Sequence, residues 1–385
     1  MQRNGPAPDP LTQGAGLYVH IPFCLKKCRY CSFNSIPYDK AVALRYINAV
    51  IVESGRIDAS LQPETLYIGG GTPTVLPQAG LFALLDAVRQ RLKPSPETEA
   101  TIEANPAALG GLDLGSLRGQ GINRVSLGAQ SFDRAELDML GRLHGPDDIA
   151  ASVMHLRVAG FVNINLDLIY ALPGQDMGRW LGNLNRAIGL SPEHISIYDL
   201  SFEEGTPFHR EYMAGRLAKP PEDLQAEMYL AAVDTLEGSG YKRYEVSNFA
   251  KPGYECRHNI NYWSCGDYVG LGAGAHSHLS GVRKINMEGV DEYIDTVEKG
   301  FSPVASEERP TPEEVEREFI MLSLRMAGGL RLSEYARRFG GDFMVVYGDR
   351  VAGFARAGLL EVDETVIRLT RDGVLASSYV ISGFF

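Results

Sequence analysis

The chain has 385 residues, 44% hydrophobic and 22% charged, which suits a large α/β core with an accessory domain. A net charge of −11 excludes a general nucleic-acid binder, because such proteins need a basic surface to displace counterions. No apolar run is long enough to span a bilayer, and the first residues lack the apolar core of a signal peptide, so a mobile tail is expected over 1–15.

The first two thirds alternates short apolar runs with amphipathic segments. A predicted strand over 16–20 leads into a loop that holds Cys24, Cys28 and Cys31. A strand over 65–68 ends in Gly69-Gly70-Gly71-Thr72-Pro73, and one over 100–103 ends in Ala104-Asn105-Pro106. Strands over 124–127, 162–169 and 194–198 end in Gly128-Ala129-Gln130, Tyr170-Ala171-Leu172-Pro173-Gly174 and Asp199-Leu200. Helical segments are expected between them, over 38–57, 77–92, 133–142 and 146–159. Strands alternating with helices predict a parallel sheet with right-handed crossovers. Six such units predict an α/β fold, a partial (β/α)6 barrel whose functional end lies just after the strands.

Residues 205–305 are less regular, with a helix over 221–238 and glycine- and aromatic-rich patches. Ser306 to Pro312 reads as a boundary, and Thr311-Pro312-Glu313-Glu314 as a helix start with cap, proline and early acids. Helices over 332–339 and 343–357 followed by a hairpin predict a small winged-helix-like domain over 306–385, after a main unit over 16–305.

The three early cysteines carry the chemistry. Their spacing is C-x3-C-x2-C, and three thiolates this close hold three corners of a [4Fe–4S] cube while one iron lacks a protein ligand. Zinc favours four ligands in two pairs, and no second pair is present. Five cysteines, an odd number, do not form a closed disulfide framework. Reduced thiols and an oxygen-sensitive cluster predict a cytoplasmic setting.

The segments HIPFCLKKCRYCSF, GGGTPT, EANP, SLGAQSF, NLDLIYALPGQ and YEVSNFA together resemble the coproporphyrinogen III oxidase-like (HemN/HemW) family of radical S-adenosylmethionine (SAM) proteins, over nearly the whole chain. The resemblance implies a cluster on Cys24, Cys28 and Cys31, with SAM at the open iron cleaved to methionine and a 5′-deoxyadenosyl radical. It implies SAM contacts from Tyr18, Gly70, Gly71, Thr72, Glu103, Gln130, Arg142 and Asp167. Among these, Arg142 would pair with the methionine carboxylate. Glu103 would accept from SAM polar groups, and Gln130 and Asp167 would hold the ribose. The glycines would let backbone approach the methionine portion.

Two features place the chain nearest the HemW-type haem chaperones. Phe33 stands where the true oxidases carry an additional cysteine. His258-Asn259-Ile260-Asn261-Tyr262-Trp263 resembles a motif linked to haem binding, with His258 as axial ligand and Tyr262 and Trp263 stacking on the porphyrin. The plain alternative for His258 is a hydrogen-bonded histidine beneath the barrel. Cys256 and Cys265 are thiolate ligands or ordinary buried thiols, and His276 and His278 are alternative ligand residues.

The leading expectation is therefore a chaperone that binds haem and inserts it into recipients such as respiratory enzymes. A flavodoxin- or ferredoxin-like electron donor, transient membrane association and a homodimer are compatible with it. The enzymatic alternatives are oxygen-independent coproporphyrinogen III dehydrogenase, to which Phe33 is unfavourable, and a radical SAM methyltransferase or haem-degrading enzyme. A purely structural or electron-transfer iron–sulfur protein would give Gly69 to Pro73, Glu103 and Arg142 no reason to converge.

Overall fold

A computed structural model describes residues 14–385, so all but the last two residues of the expected tail lie outside the description. Six strands run parallel and neighbour one another in chain order: β1 (Gly16–Ile21), β2 (Thr65–Gly70), β3 (Glu99–Ala104), β4 (Arg124–Gln130), β5 (Ile164–Tyr170) and β6 (His194–Asp199). The crossovers carry α1 (Lys40–Ser54), α2 (Gln78–Leu92), α3 (Arg134–Leu140), α4 (Pro146–Val158) and α5 (Met177–Gly189). Every expected strand and helix of this region is present, with ends shifted by a few residues.

Side-chain alternation explains why these segments form such a sheet. Leu17, Val19 and Ile21 of β1 are fully buried and pack toward the helices, as do Val125 and Leu127, Leu166 and Leu168, and Ile195 and Ile197. The intervening positions point to the concave side, and they are polar: Tyr18, Tyr67, Glu103, Ser126, Asp167 and Ser196. One face of the sheet is an ordinary core; the other is a polar chamber.

The sheet does not close into a barrel. Beyond β6 it continues through an antiparallel hairpin, β7 (Lys242–Arg243) and β8 (Asn248–Ala250). α6 (Glu222–Gly238) precedes this hairpin, and α7 (Arg257–Trp263) follows it. Beyond β1 the sheet continues through β9 (Tyr268–Leu271), β10 (His276–Leu279), β11 (Val282–Asn286) and β12 (Val304–Glu308), with α8 (Val290–Glu298) between the last two. The result is one mixed twelve-stranded sheet, ordered β12-β11-β10-β9-β1-β2-β3-β4-β5-β6-β8-β7. The region that reads as irregular thus extends both edges. Its strands are two to five residues long, too short for periodicity to register.

The boundary segment expected over 306–312 opens inside β12, and the chain leaves the sheet after Glu308. α9 (Pro312–Arg325) starts with the expected cap: Glu314 N donates to Thr311 Oγ1 at 3.3 Å and Thr311 N to Glu314 Oε2 at 2.7 Å. α10 (Leu332–Phe339) and α11 (Phe343–Arg356) pack with a three-stranded sheet. In it β15 (Val366–Leu369) lies between β13 (Leu330–Arg331) and β14 (Leu360–Val362). The hairpin is as expected, and β13 is an added strand. Among the described residues no helix is long and apolar enough to cross a membrane.

Glu53, buried at the end of α1, ties the extension to the barrel. Oε1 accepts from Asn286 Nδ2 at 2.6 Å, and Oε2 accepts from Gly272 N at 2.8 Å and from the Tyr293 hydroxyl. Burial pushes this carboxyl above the usual range. An amide replaces it only in part, because in either orientation its NH2 group takes the place of one oxygen and accepts from none of the donors there. Glu53→Gln is therefore expected to destabilise the fold by about 1–3 kcal/mol, read as a lower midpoint in chemical denaturation.

Candidate active site at the strand ends

The cysteine loop leaves β1 and is pinned at both ends. His20 Nε2 lies 2.8 Å from the Asn34 carbonyl oxygen, so it is the protonated nitrogen, and Nδ1 accepts from the Tyr18 hydroxyl at 3.0 Å. Asn34 Nδ2 in turn donates to the Glu288 carbonyl at 2.9 Å, which couples the loop to the sheet extension. On the other side, Gly71 N donates to Ile21 O and Thr72 N to Phe23 O, both at 2.8 Å.

These contacts give the glycine run a reason different from the expected one. Gly70 has φ +115°, and a Cβ there would stand 2.5 Å from His20 Cε1. At Gly71 it would stand 2.7 Å from Phe23 O and 2.9 Å from Phe23 N. The absent side chains first of all let the end of β2 pack against the cysteine loop.

All three thiols face a chamber of about 420 Å³ at the C-terminal ends of the parallel strands. Arg142, in the turn after α3, reaches back over this chamber. Its Nη2 donates to Gly128 O at 2.7 Å and its Nη1 to Cys28 Sγ at 3.3 Å, while its buried Nε has no hydrogen-bond partner. Thr72 Oγ1 is 3.9 Å from Cys24 Sγ. Burial raises the Cys24 and Cys31 thiols above the ordinary range, with neighbouring cysteines adding to the rise.

The chamber wall carries two buried carboxylates. Glu103 Oε1 accepts from the Tyr67 hydroxyl at 2.9 Å and Oε2 from Gly70 N at 3.0 Å. Burial, with the Asp167 charge adding to it, pushes its carboxyl up to about 7. Asp167 accepts from Asn165 Nδ2 at 2.8 Å and Ser126 Oγ at 3.0 Å, and burial raises its carboxyl too. Gln130 lines the same space from a left-handed backbone position, φ +66°, where β4 slips register against β5.

The structure thus brings together Cys24, Cys28, Cys31, Gly70, Gly71, Thr72, Glu103, Gln130, Arg142 and Asp167. Four expected residues stand apart from them. Tyr18 turns its hydroxyl to His20 and stacks its ring on Tyr67 at 6.2 Å, so it lies behind the chamber wall. His258 is 1% exposed, its ring stacked on Tyr67 at 5.0 Å. Its Nδ1 is 2.8 Å from Thr65 Oγ1 and its Nε2 2.9 Å from the Tyr262 hydroxyl, so neither nitrogen is available to iron. Burial, then the Arg124 charge, lowers it to about 3 and keeps the ring neutral. The hydrogen-bonded histidine beneath the barrel is the arrangement found. Tyr262 and Trp263 face a second cleft, on the far side of this aromatic wall.

Sequence reasoning passed over Ser126, Asn165, Ser196 and Arg124. Arg124 is 2% exposed and borders the chamber, its Nε without a partner. The available signal was their placement at every second position of otherwise apolar strands.

The model of the radical SAM superfamily matches residues 18–186, and that of the HemN C-terminal domain matches 311–376. An open parallel sheet with three thiols over its strand ends, in this match, defines a radical SAM protein. The chain is 38% identical to heme chaperone HemW of Bacillus subtilis, over 95% of this chain and 98% of that protein. Against the Mycobacterium tuberculosis HemW it is 35% identical, over 92% and 95% of the two chains. It belongs to the HemW family. The solved coproporphyrinogen III oxidase (HemN) of Escherichia coli superposes with a TM-score of 0.83 at 25% identity, covering 98% of this chain and 91% of that one.

The superfamily implies a [4Fe–4S] cluster and SAM, and the residues present fit both. Among the described residues no three ligand side chains converge on a single ion. A cubane makes a different demand, because each thiolate takes its own iron and the sulfurs stand around a volume. The orphaned Arg142 Nε beside Cys28 is a donor that the protein alone leaves unused.

Gly71→Ala tests the packing of the loop. The added methyl forces Phe23 and the cysteine loop away from β2, at a cost of about 1–3 kcal/mol for overpacking. Iron and sulfide per chain after anaerobic reconstitution are expected to fall in step with the thermal midpoint.

Proposed function

We propose that this chain is a SAM-binding, cluster-containing haem chaperone that holds haem and passes it to recipient haemoproteins. The observation that carries the reading is identity along nearly the full length of proteins named heme chaperone HemW. Phe33 supports it: the side chain is 65% exposed at the chamber rim, where it supplies no further thiolate.

In this reading Cys24, Cys28 and Cys31 hold the cluster. Arg142 pairs with the carboxylate of SAM through its planar fork. Glu103 accepts from its polar groups, Gln130 and Asp167 take the ribose hydroxyls, and Thr72 steadies Cys24. When bound, the cluster and SAM supply one-electron cleavage chemistry.

Cluster-loaded protein is expected to bind one haem per chain and to load an apo-haemoprotein, leaving coproporphyrinogen III unchanged under anaerobic reducing conditions with SAM. The HemN likeness makes the last measurement decisive. Conversion of coproporphyrinogen to vinyl products, without haem transfer, would overturn the chaperone reading.

The proposed role of Glu103 has a pH signature. With its carboxyl raised to about 7, it is an anionic acceptor above that pH and increasingly neutral below it. SAM affinity, measured by equilibrium dialysis, is expected to weaken as pH falls through about 7. Glu103→Gln is expected to bind weakly at every pH and to lose that dependence.

A further inference from the structure

Arg124 opens β4. Val125 and Leu127 of that strand face the helices, so Arg124 and Ser126 face the chamber. The residue is 2% exposed, yet its guanidinium forms no hydrogen bond and no close ion pair with a described residue, and its buried Nε is orphaned. Thr101, opposite it in register on β3, is fully buried with an equally unpartnered Oγ1. A full charge held this deep without a direct partner is costly, so its place needs a reason.

The groups around it supply one. Tyr67 of β2 and His194 of β6 are neutral neighbours, the first raised and the second lowered by burial. From the edge hairpin and the start of α7 come three more neutral groups. Burial raises Tyr244 and takes the Cys256 thiol up to about 12, and burial, then the Arg124 charge, lowers His258 to about 3. Glu99 of β3 gives its oxygens to Cys256 Sγ at 3.5 Å and to the backbone N–H groups of Arg257 and His258 at 3.0 and 3.1 Å. The carboxyls left facing Arg124 across the chamber floor are Glu103 of β3 and Asp167 of β5.

We propose that Arg124 is a positioning residue for SAM: its unpaired guanidinium is the common counter-charge of Glu103 and Asp167, holding both in acceptor form while leaving their oxygens open to the ligand. The proposal rests on the reading of those carboxyls as SAM contacts and deepens it. A direct bidentate pair would do the opposite, taking up both oxygens of one carboxylate and neglecting the other. Held back from contact, one charge acts on both, because Coulomb attraction reaches further inside a protein than hydrogen bonding does. Glu103 keeps a lone pair on each oxygen beyond the bonds from Tyr67 and Gly70, and Asp167 beyond those from Asn165 and Ser126. The other ionisable neighbours of Glu103, Tyr18 and Tyr198, are raised by burial and stay neutral. Arg124 opposes the effect of burial on both carboxyls, which is the direction the role requires.

The test is SAM affinity of cluster-loaded protein by equilibrium dialysis, from about pH 6 to about pH 9. Wild type is expected to lose affinity as pH falls through about 7. Arg124→Met removes the charge and breaks no hydrogen bond. Its midpoint should lie about one pH unit higher, with SAM bound about fivefold more weakly at pH 7 and recovering at high pH. Arg124→Gln, neutral but polar, should move the same way, and Arg124→Lys, which restores a cation, should bring the midpoint back toward wild type. A merely structural role would weaken SAM by one factor at every pH and leave the midpoint in place. Thermal midpoint and iron content identify the folded variants, and either neutral variant suffices. Wild type whose affinity is flat over this range overturns the Glu103 reading, and this role with it. Wild type with a midpoint near 7, shared by a folded neutral variant, overturns the role of Arg124 alone.

Discussion

The whole molecule depends on one constraint of extended chain, that neighbouring side chains point to opposite faces. In β1 through β6 the helix-facing positions are aliphatic and fully buried. The concave positions are polar, and this is an expensive surface to build away from bulk water. It is tolerated because most of its members satisfy one another. Asp167 is held by Asn165 and Ser126, and His194 sits between Asn165 Oδ1 at 2.6 Å and the Tyr244 hydroxyl at 2.8 Å. Glu103 and Asp167 nevertheless remain hard to ionise. Hydrogen bonds lower both carboxyls part of the way back, from Tyr67 to Glu103 and from Asn165 and Ser126 to Asp167, and the Arg124 charge adds to them. Fold and chamber are two sides of the same alternation.

Much of this was legible in the sequence because it is local. The cysteine spacing, the apolar runs of β1 to β6 and the Thr311 cap are all written within a few residues. Tertiary proximity is not. Gly70 and Gly71 read as room for a ligand, yet their close neighbours are His20 and Phe23, fifty residues earlier in the chain. His258 reads as a metal ligand within its motif. Only the fold brings Thr65 and Tyr67 against it, with Arg124 near enough to oppose its protonation. The strands of the extension are short, and glycine-bearing turns or a helix separate them, so neither length nor period betrays them. The inward polar residues lay between: visible as interruptions of apolar strands, unreadable until those strands were placed side by side.

The extension also does more than widen the sheet. Asn34, at the end of the cysteine loop, donates to Glu288, and Glu53 of α1 gathers Gly272, Asn286 and Tyr293. The loop carrying the thiols is therefore braced from both sides, by β2 through backbone contacts and by the extension through side chains. Charged surface pairs add little to this arrangement, since exposed ion pairs such as Arg371 with Asp234 are screened by solvent.

The short helix α7 stands astride the partition. Asn259 borders the thiol chamber, and Tyr262 and Trp263 border the neighbouring cleft, within seven residues of rigid backbone. A molecule that moved the helix from one side would therefore move part of the wall on the other. Thermodynamic linkage makes that influence mutual and equal in both directions.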